Sequence, residues 1–181
     1  MSTKPELIEQ FKAAAQKADA GVSSVSDLSE LERLLLDYAG PGRVLLAEEK
    51  GFLAQSGLLN RLSQKGVRIS AQHTESEVSV TQALFGIADT GSVVMDTTDD
   101  LVSQLTALVR AHIVILNPDS ILPNLQAAFA AIDKLGSTKD NFRYSIITGP
   151  SRTADIERVL TLGVHGPAKL DILLWDYNKK S

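Results

Sequence analysis

Two short polar loops near the carboxyl-terminal end of the chain contain the residues best suited to chemistry. The first loop reads GPSRT (residues 149–153) and follows an apolar run. The hydroxyls of Ser151 and Thr153, the Arg152 guanidinium and the amides after Gly149 would suit a phosphate or a carboxylate. The second loop reads GVHGP (residues 163–167). Its His165 could transfer a proton or contact an anion, and Gly166 turns the chain toward the next strand.

A second interpretation of the GPSRT loop is purely structural. Asp155 and Glu157 fall in the first turn of the helix that we predict over residues 153–162. Acidic side chains there satisfy the helix dipole themselves and oppose a bound anion. The loop is therefore either an anion site at the carboxyl end of a parallel strand, which is the usual ligand position in open α/β sheets, or a well-capped joint between a strand and a helix.

Ser151, Asp155 and His165 have the residue types of a hydrolase triad. The predicted helix would separate the two loops by about 15 Å, at 1.5 Å per residue. The GxSxG motif is also absent, because Thr153 occupies the position of its second glycine. We therefore predict that the chain is not a hydrolase.

A third polar turn contains Thr90, Gly91 and Ser92 within the sequence ADTGSVV. The sequence mimics the loop of an aspartic protease, but such catalysis needs two aspartates that share a proton. The better interpretation is a reversal between two strands, with hydroxyls beside it. No motif with metal-ligand spacing is present, so we predict no metal site, and the acidic run before Leu101 is expected to cap a helix.

Composition excludes several classes of protein. The net charge is −4 and aromatic residues make up 5%, which disfavours nucleic-acid binding. The chain has no cysteine, so it holds no iron–sulfur cluster through cysteine and no thiolate nucleophile. We find neither a secretory signal nor an apolar run of membrane-spanning length, and we expect a cytoplasmic protein.

Hydrophobic periodicity divides the chain at about residue 40. Two amphipathic helices are predicted over residues 1–40, forming an N-terminal helical arm that packs on the main domain or contacts a second subunit of a homo-oligomer. Residues 41–181 alternate strands and helices, which predicts an α/β fold with a mostly parallel sheet and helices on both faces. The predicted strands are 44–47, 67–70, 78–88, 92–95, 112–116, 144–148 and 170–175, and the helices are 52–64, 101–109, 122–135 and 153–162.

Three motifs in order resemble one family. GPSRTADIE followed by GVHGP is similar to the C-terminal signature of LUD-domain lactate-utilisation proteins of the LutC/YkgG type, and VSVTQALFGIADTGSVVM and HIVILNPDSI resemble its central region. The resemblance covers about residues 75–175. It implies a fold similar to the NagB/RpiA/CoA-transferase-like architecture. It also implies a part in bacterial oxidation of lactate to pyruvate, beside partner subunits that carry iron–sulfur clusters.

Three functions remain open at this point. The first is an accessory subunit of a lactate-oxidising complex, with a small organic acid or a partner bound by the GPSRT and DTGS loops. The second is a stand-alone enzyme of the CoA-transferase-like superfamily that acts on an anionic small molecule, with Arg152 as the anion contact and His165 or Asp155 moving protons. The third is an interaction module that uses the N-terminal helices.

Overall fold

The computed structural model describes residues 3–40, 44–47, 51–70, 78–138, 141–154, 160–162 and 166–177. Twelve strands and six α-helices lie in these ranges. The helices are α1 (Lys4–Lys17), α2 (Leu28–Ala39), α3 (Gly51–Gln55), α4 (Leu58–Gln64), α5 (Asp100–Ala107) and α6 (Leu125–Gly136). The strands are β1 (Gly21–Ser24), β2 (Val44–Ala47), β3 (Arg68–Ser70), β4 (Val78–Gln82), β5 (Phe85–Ile87), β6 (Ser92–Asp96), β7 (Ala111–Leu116), β8 (Ile121–Leu122), β9 (Tyr144–Ile147), β10 (Arg152–Ala154), β11 (Leu160–Leu162) and β12 (Lys169–Leu174).

The main sheet contains six strands in the order β1-β12-β7-β4-β2-β3. Every neighbouring pair in it is parallel. Its central strands are apolar on both faces, as parallel strands covered by other elements on both sides must be. Strand β7, which reads AHIVIL, is buried from His112 to Leu116.

A second, smaller sheet has the order β8-β5-β6-β9. Strands β5 and β6 form the predicted hairpin around Asp89–Gly91, and β9 pairs antiparallel with β6. The chain passes from one sheet to the other between two adjacent residues. The Ala83 amide donates to Ile115 O of the main sheet (2.9 Å), whereas the Leu84 amide donates to Val94 O of the second sheet (2.8 Å).

Apolar side chains on the two faces of the main sheet pack against different elements. One face packs against α2, α3 and α4 through Leu31, Leu35, Leu53 and Leu62. The other face packs against α1 through Phe11 and Ala15, against the second sheet, and against α5 through Leu105. Helix α6 covers the outer side of the second sheet. The predicted α/β class, with a mostly parallel sheet and helices on both faces, is confirmed.

The first 40 residues contribute more than helices. Both predicted helices are present, and Asp27 caps α2 by accepting from the Glu30 amide at 2.8 Å. Between them lies β1, a strand that the sequence did not predict, and it forms the edge of the main sheet beside β12. Because β1 shares the sheet and α1 shares the core, this segment is built into the α/β unit.

Several predicted elements are confirmed with shifted limits, and two long predictions are divided. The predicted helix 52–64 is broken into α3 and α4 at Gly57, whose φ is +71°. The predicted strand 78–88 is β4 and β5, which belong to different sheets. The acidic run before Leu101 caps α5 as predicted, because the Asp99 carboxylate accepts from the Leu101 amide at 3.0 Å.

The prediction of a helix over residues 153–162 is wrong. Residues 152–154 and 160–162 are the strands of an antiparallel hairpin, in which Thr153 pairs with Thr161. The spacing of Ile156, Val159 and Leu160 suggested a helical face. The β-branched threonines at both ends favour extended backbone instead, and pairing between them is a non-local contact that periodicity does not report.

Candidate functional site

Three hydroxyls join the DTGS turn to the GPSRT loop. Ser92 begins β6 and is 1% exposed, while Thr90 and Thr148 are exposed on either side of it. The Ser92 hydroxyl donates to Thr90 Oγ1 at 2.7 Å and lies 2.7 Å from Thr148 Oγ1. A hydroxyl has one hydrogen, so Thr148 donates to Ser92, and the hydrogen of Thr90 is not used within this trio. The three linked hydroxyls therefore offer one donor and one acceptor to a ligand at the surface.

The glycines of these two loops lie against the last turns of α1. Gly91 has a φ of +66° and Gly149 a φ of +69°. A Cβ at Gly91 would overlap the backbone of Ala15, and a Cβ at Gly149 would overlap the carbonyl oxygen of Ala18. Packing therefore requires glycine at both positions, because only a residue without a side chain lets the loops approach the helix this closely.

The GPSRT and GVHGP loops meet. The Ser151 amide donates to the Pro167 carbonyl at 2.8 Å. A Cβ on Gly166 would lie 2.8 Å from the Ser151 Cβ. The predicted separation of about 15 Å is thus wrong, because the intervening segment begins and ends as the two strands of a hairpin rather than running as a helix.

The other predicted site residues are only partly placed. Arg152 and Thr153 lie in β10, opposite Leu162 and Thr161. Asp155 and His165 fall outside the described residues. The structure therefore brings together Thr90, Ser92 and Thr148 in one cluster and Ser151 and Gly166 in another, along the same edge of the protein.

This edge is the amino end of the main sheet. Gly166 and Pro167 precede β12, and Ala18 precedes β1. The expectation of a loop at the carboxyl end of a parallel strand is wrong, because the strand before GPSRT is β9. That strand pairs antiparallel with β6 in the second sheet instead of entering the main one.

A buried polar cluster lies between the main sheet and α5. His112, Ser79 and Thr81 are each 0% exposed. The Ser79 hydroxyl donates to Leu105 O at 2.6 Å, and the His112 Nε2 lies 2.7 Å from Thr81 Oγ1. Burial lowers the pKa of His112 to about 3, so the ring is neutral at physiological pH. Its Nδ1 has no hydrogen-bond partner among the described residues.

Sequence reasoning missed a further cluster at the carboxyl end of the sheet. Gln82 ends β4, and its amide contacts the Phe52 backbone and the Tyr177 hydroxyl. Trp175 completes the cluster, with its ring centroid 4.4 Å from that of Phe52. The one available signal was the position of the single tryptophan at the end of a predicted strand.

The described ranges contain neither a cluster of metal ligands nor a membrane-spanning helix. No group of three or more His, Asp or Glu side chains there is arranged to hold a metal ion. None of the helices described is long and apolar enough to cross a membrane.

Residues 8–175 match the model of the LUD domain. The chain belongs to the LUD domain family. The family predicted from the three motifs is therefore confirmed, and the match also includes most of the N-terminal segment, which contains none of those motifs.

Individual relatives agree with this assignment. Lactate utilization protein C of Bacillus pumilus is 26% identical and is matched over 96% of this chain and 80% of its own length. The protein YkgG of Escherichia coli is 27% identical over 88% of this chain and 79% of its own length. A crystal structure of a DUF162 family protein from Deinococcus radiodurans superposes with a TM-score of 0.68 at 19% identity, over 96% of this chain and 99% of that one. It supports the fold of this LUD domain.

Proposed function

We propose that this LUD-domain protein serves lactate utilisation as an accessory subunit, and that it binds a small organic acid or a partner at the amino edge of its sheet. The observation that carries the proposal is the similarity to Lactate utilization protein C over 96% of the chain. Iron–sulfur clusters would belong to partner subunits, since this chain has no cysteine to hold one.

The amino edge offers suitable groups for a 2-hydroxy or 2-oxo acid. The hydrogen of Thr90 and the oxygen of Thr148 lie on opposite sides of Ser92, within one hydrogen-bonded chain. The meeting of Ser151 with Gly166 brings the second pair of loops to the same edge. Arg152 follows Ser151 directly and would supply the positive charge that a carboxylate needs.

Growth tests the proposed role. Deleting the gene in its host should abolish growth on L-lactate while growth on glucose continues, and the intact gene should restore it. Restoration by Arg152→Ala should fail, whereas Arg143→Ala should restore growth, because Arg143 pairs with Asp100 on the exposed surface. Normal growth of the deletion strain, in a host without a second copy, would contradict the role in lactate utilisation.

Binding tests the proposed site separately. Saturating L-lactate or pyruvate, at about 100 times the dissociation constant, should raise the free energy of unfolding by about 2.7 kcal/mol. For a chain of this length that corresponds to roughly 5–10 °C in Tm. The shift should disappear in Arg152→Ala and remain in Arg143→Ala. Equal shifts in the two variants would place the acid elsewhere.

One observation favours the alternative of a stand-alone enzyme acting on an anionic small molecule. Ser151 contacts the residue that follows His165 in sequence, so the two loops are not kept apart. Under this alternative, the purified chain by itself would turn over an anionic substrate such as a CoA ester. An accessory subunit would show no turnover until its partner subunits are added.

A further inference from the structure

The carboxyl end of the main sheet contains a place where ligands commonly bind in α/β proteins. Strands β2 and β4 are neighbours, but β2 connects through α3 and α4 to β3 on one side, whereas β4 connects through the second sheet to β7 on the other. Where connections diverge in this way, a crevice opens beyond the strand ends. Gln82 is the last residue of β4 and Gly51 begins α3 after β2, so both lie at this point.

The Gln82 side chain links the elements around this crevice. Its Oε1 accepts from the Phe52 backbone amide at 3.0 Å, and its Nε2 donates to the Tyr177 hydroxyl at 2.7 Å. Gly51 has a φ of +58°, and a Cβ there would lie 2.9 Å from Gln82 Oε1. Glycine thus allows α3 to begin directly against the amide, which fixes the orientation of Gln82.

Two donors of this arrangement have no use in the described part of the chain. Because Tyr177 accepts from Gln82, its own hydroxyl hydrogen is available, and no described residue accepts it. The second hydrogen of Gln82 Nε2 is likewise unassigned in the described ranges. Burial raises the pKa of Tyr177, so its hydroxyl keeps its hydrogen at neutral pH.

Three aromatic rings surround these donors. Phe52 and Tyr177 stack with centroids 5.0 Å apart and an interplanar angle of 20°. Trp175 meets Phe52 edge-on at 88°, and its centroid is 6.3 Å from that of Tyr177. Phe52 and Tyr177 are both only partly buried. A stack of partly exposed rings can be extended by a further flat ring.

The aromatic rings disfavour an anionic ligand at this end. The faces of aromatic rings carry negative partial charge, which repels a carboxylate or a phosphate. Neutral donors beside a ring stack are instead suited to the carbonyl oxygen or the ring nitrogen of an uncharged heterocycle.

We propose that the cluster of Gln82, Phe52, Trp175 and Tyr177 binds a flat, uncharged nitrogen heterocycle. The ring stacks on Tyr177, and an acceptor at its edge takes the hydrogens of both the Tyr177 hydroxyl and the Gln82 amide. This site is separate from the amino-edge site, since the six residues of β12 place the two ends of the sheet about 20 Å apart.

Fluorescence of Trp175 tests the proposal directly, because the chain has one tryptophan and it belongs to the cluster. The full chain is titrated with adenosine, with nicotinamide and with L-lactate. A saturable change in emission is expected with at least one of the two heterocycles and none with lactate. Absence of a saturable change with both heterocycles, or a saturable change with lactate alone, would overturn the proposal.

Three variants locate the binding. Tyr177→Phe keeps the ring and removes the donor, so the dissociation constant should rise about 5-fold, as expected for one hydrogen bond. Gln82→Ala should weaken binding at least as much. The control is Tyr38→Phe, since Tyr38 packs near Lys169 at the opposite end of β12 and should leave the affinity unchanged.

The variants also separate this proposal from the proposed function. An unchanged affinity for the heterocycle in Tyr177→Phe would overturn the proposed site. Because this substitution is conservative, it remains a sufficient test even if Gln82→Ala fails to fold. Lactate-dependent thermal shifts and growth on lactate should be unaffected in Tyr177→Phe. Failure of the heterocycle titration therefore leaves the role in lactate utilisation standing, and failure of the growth test leaves this site standing.

Discussion

The two ends of the main sheet differ in how far packing explains their residues. At the amino edge, Gly91 and Gly149 pack against the end of α1, and the hydroxyls of Thr90, Ser92 and Thr148 form one hydrogen-bonded chain. At the carboxyl edge, Gln82 holds rings that are partly open, and donors remain without acceptors in the described residues. Close packing accounts for the glycines of the amino edge, whereas it does not account for the polar groups of the carboxyl edge.

This difference changes how the polar motifs should be understood. The glycines of the DTGS and GPSRT motifs have a structural explanation, because any side chain would collide with the end of α1. A motif that identifies a family can therefore record a packing constraint and need not mark a site. Under the two proposals, the ligand contacts are the hydroxyls and Arg152 at the amino edge, and Gln82 and Tyr177 at the carboxyl edge.

The largest expected effect concerns the glycines of the amino edge. Gly91→Ala and Gly149→Ala each combine left-handed backbone with a collision against α1, and each should lower the free energy of unfolding by about 3 kcal/mol. Gly57→Ala is the matched control, because its φ is +71° but nothing lies within 4 Å of its added Cβ. It should cost only about 1 kcal/mol. Urea unfolding measures all three, and equal losses would refute the packing explanation.

Acidification should have a smaller effect on the free energy of unfolding, through His112, the second residue of β7. Its pKa is about 3 in the folded protein and 6.5 in the reference state. Below pH 6.5 the unfolded chain binds a proton that the folded chain does not, so stability falls as the pH falls. Between pH 7 and pH 5 the loss should be about 2 kcal/mol from this group.

The control for this prediction is His112→Gln, which removes the titrating ring. Its free energy of unfolding should be lower than that of the parent at pH 7, because Thr81 loses its partner, but it should change less between pH 7 and pH 5. The range from pH 5 to pH 7 lies above the pKa of ordinary carboxyl groups. Glu32, whose pKa is lowered mainly by its hydrogen bond with Lys65, therefore adds little to the change in the free energy of unfolding over this range. An identical pH slope in both proteins would contradict the assignment.

The smallest loss in the free energy of unfolding is expected when a single hydrogen-bonding hydroxyl is removed at either end of the sheet. Ser92→Ala removes the central member of a buried chain and should cost about 1.5 kcal/mol. Tyr177→Phe removes one partly exposed partner of Gln82, and water can replace it, so the cost should stay below about 0.5 kcal/mol. A larger loss in Tyr177→Phe than in Ser92→Ala would mean that the carboxyl cluster is a stability element.

Local sequence signals predicted the parts of the fold that depend on neighbouring residues. The cap at Asp99, the hairpin around Asp89–Gly91 and strand β7 all followed from residue types within a few positions of one another. The same signals failed at residues 153–162, where helical spacing was read in a segment whose described parts are paired strands. They also missed β1, because four residues between two helices carry too little pattern.

The sequence by itself determined the α/β class, the family, and the turns and caps that join the elements. Only the tertiary structure decided which sheet each strand enters. Strand β9 pairs with β6, so GPSRT lies at the amino edge, and β4 ends at Gln82 beside Phe52 and Tyr177. The physical reason is that strand pairing is a contact between residues far apart in the chain. Propensity and periodicity describe a strand but do not name its partner.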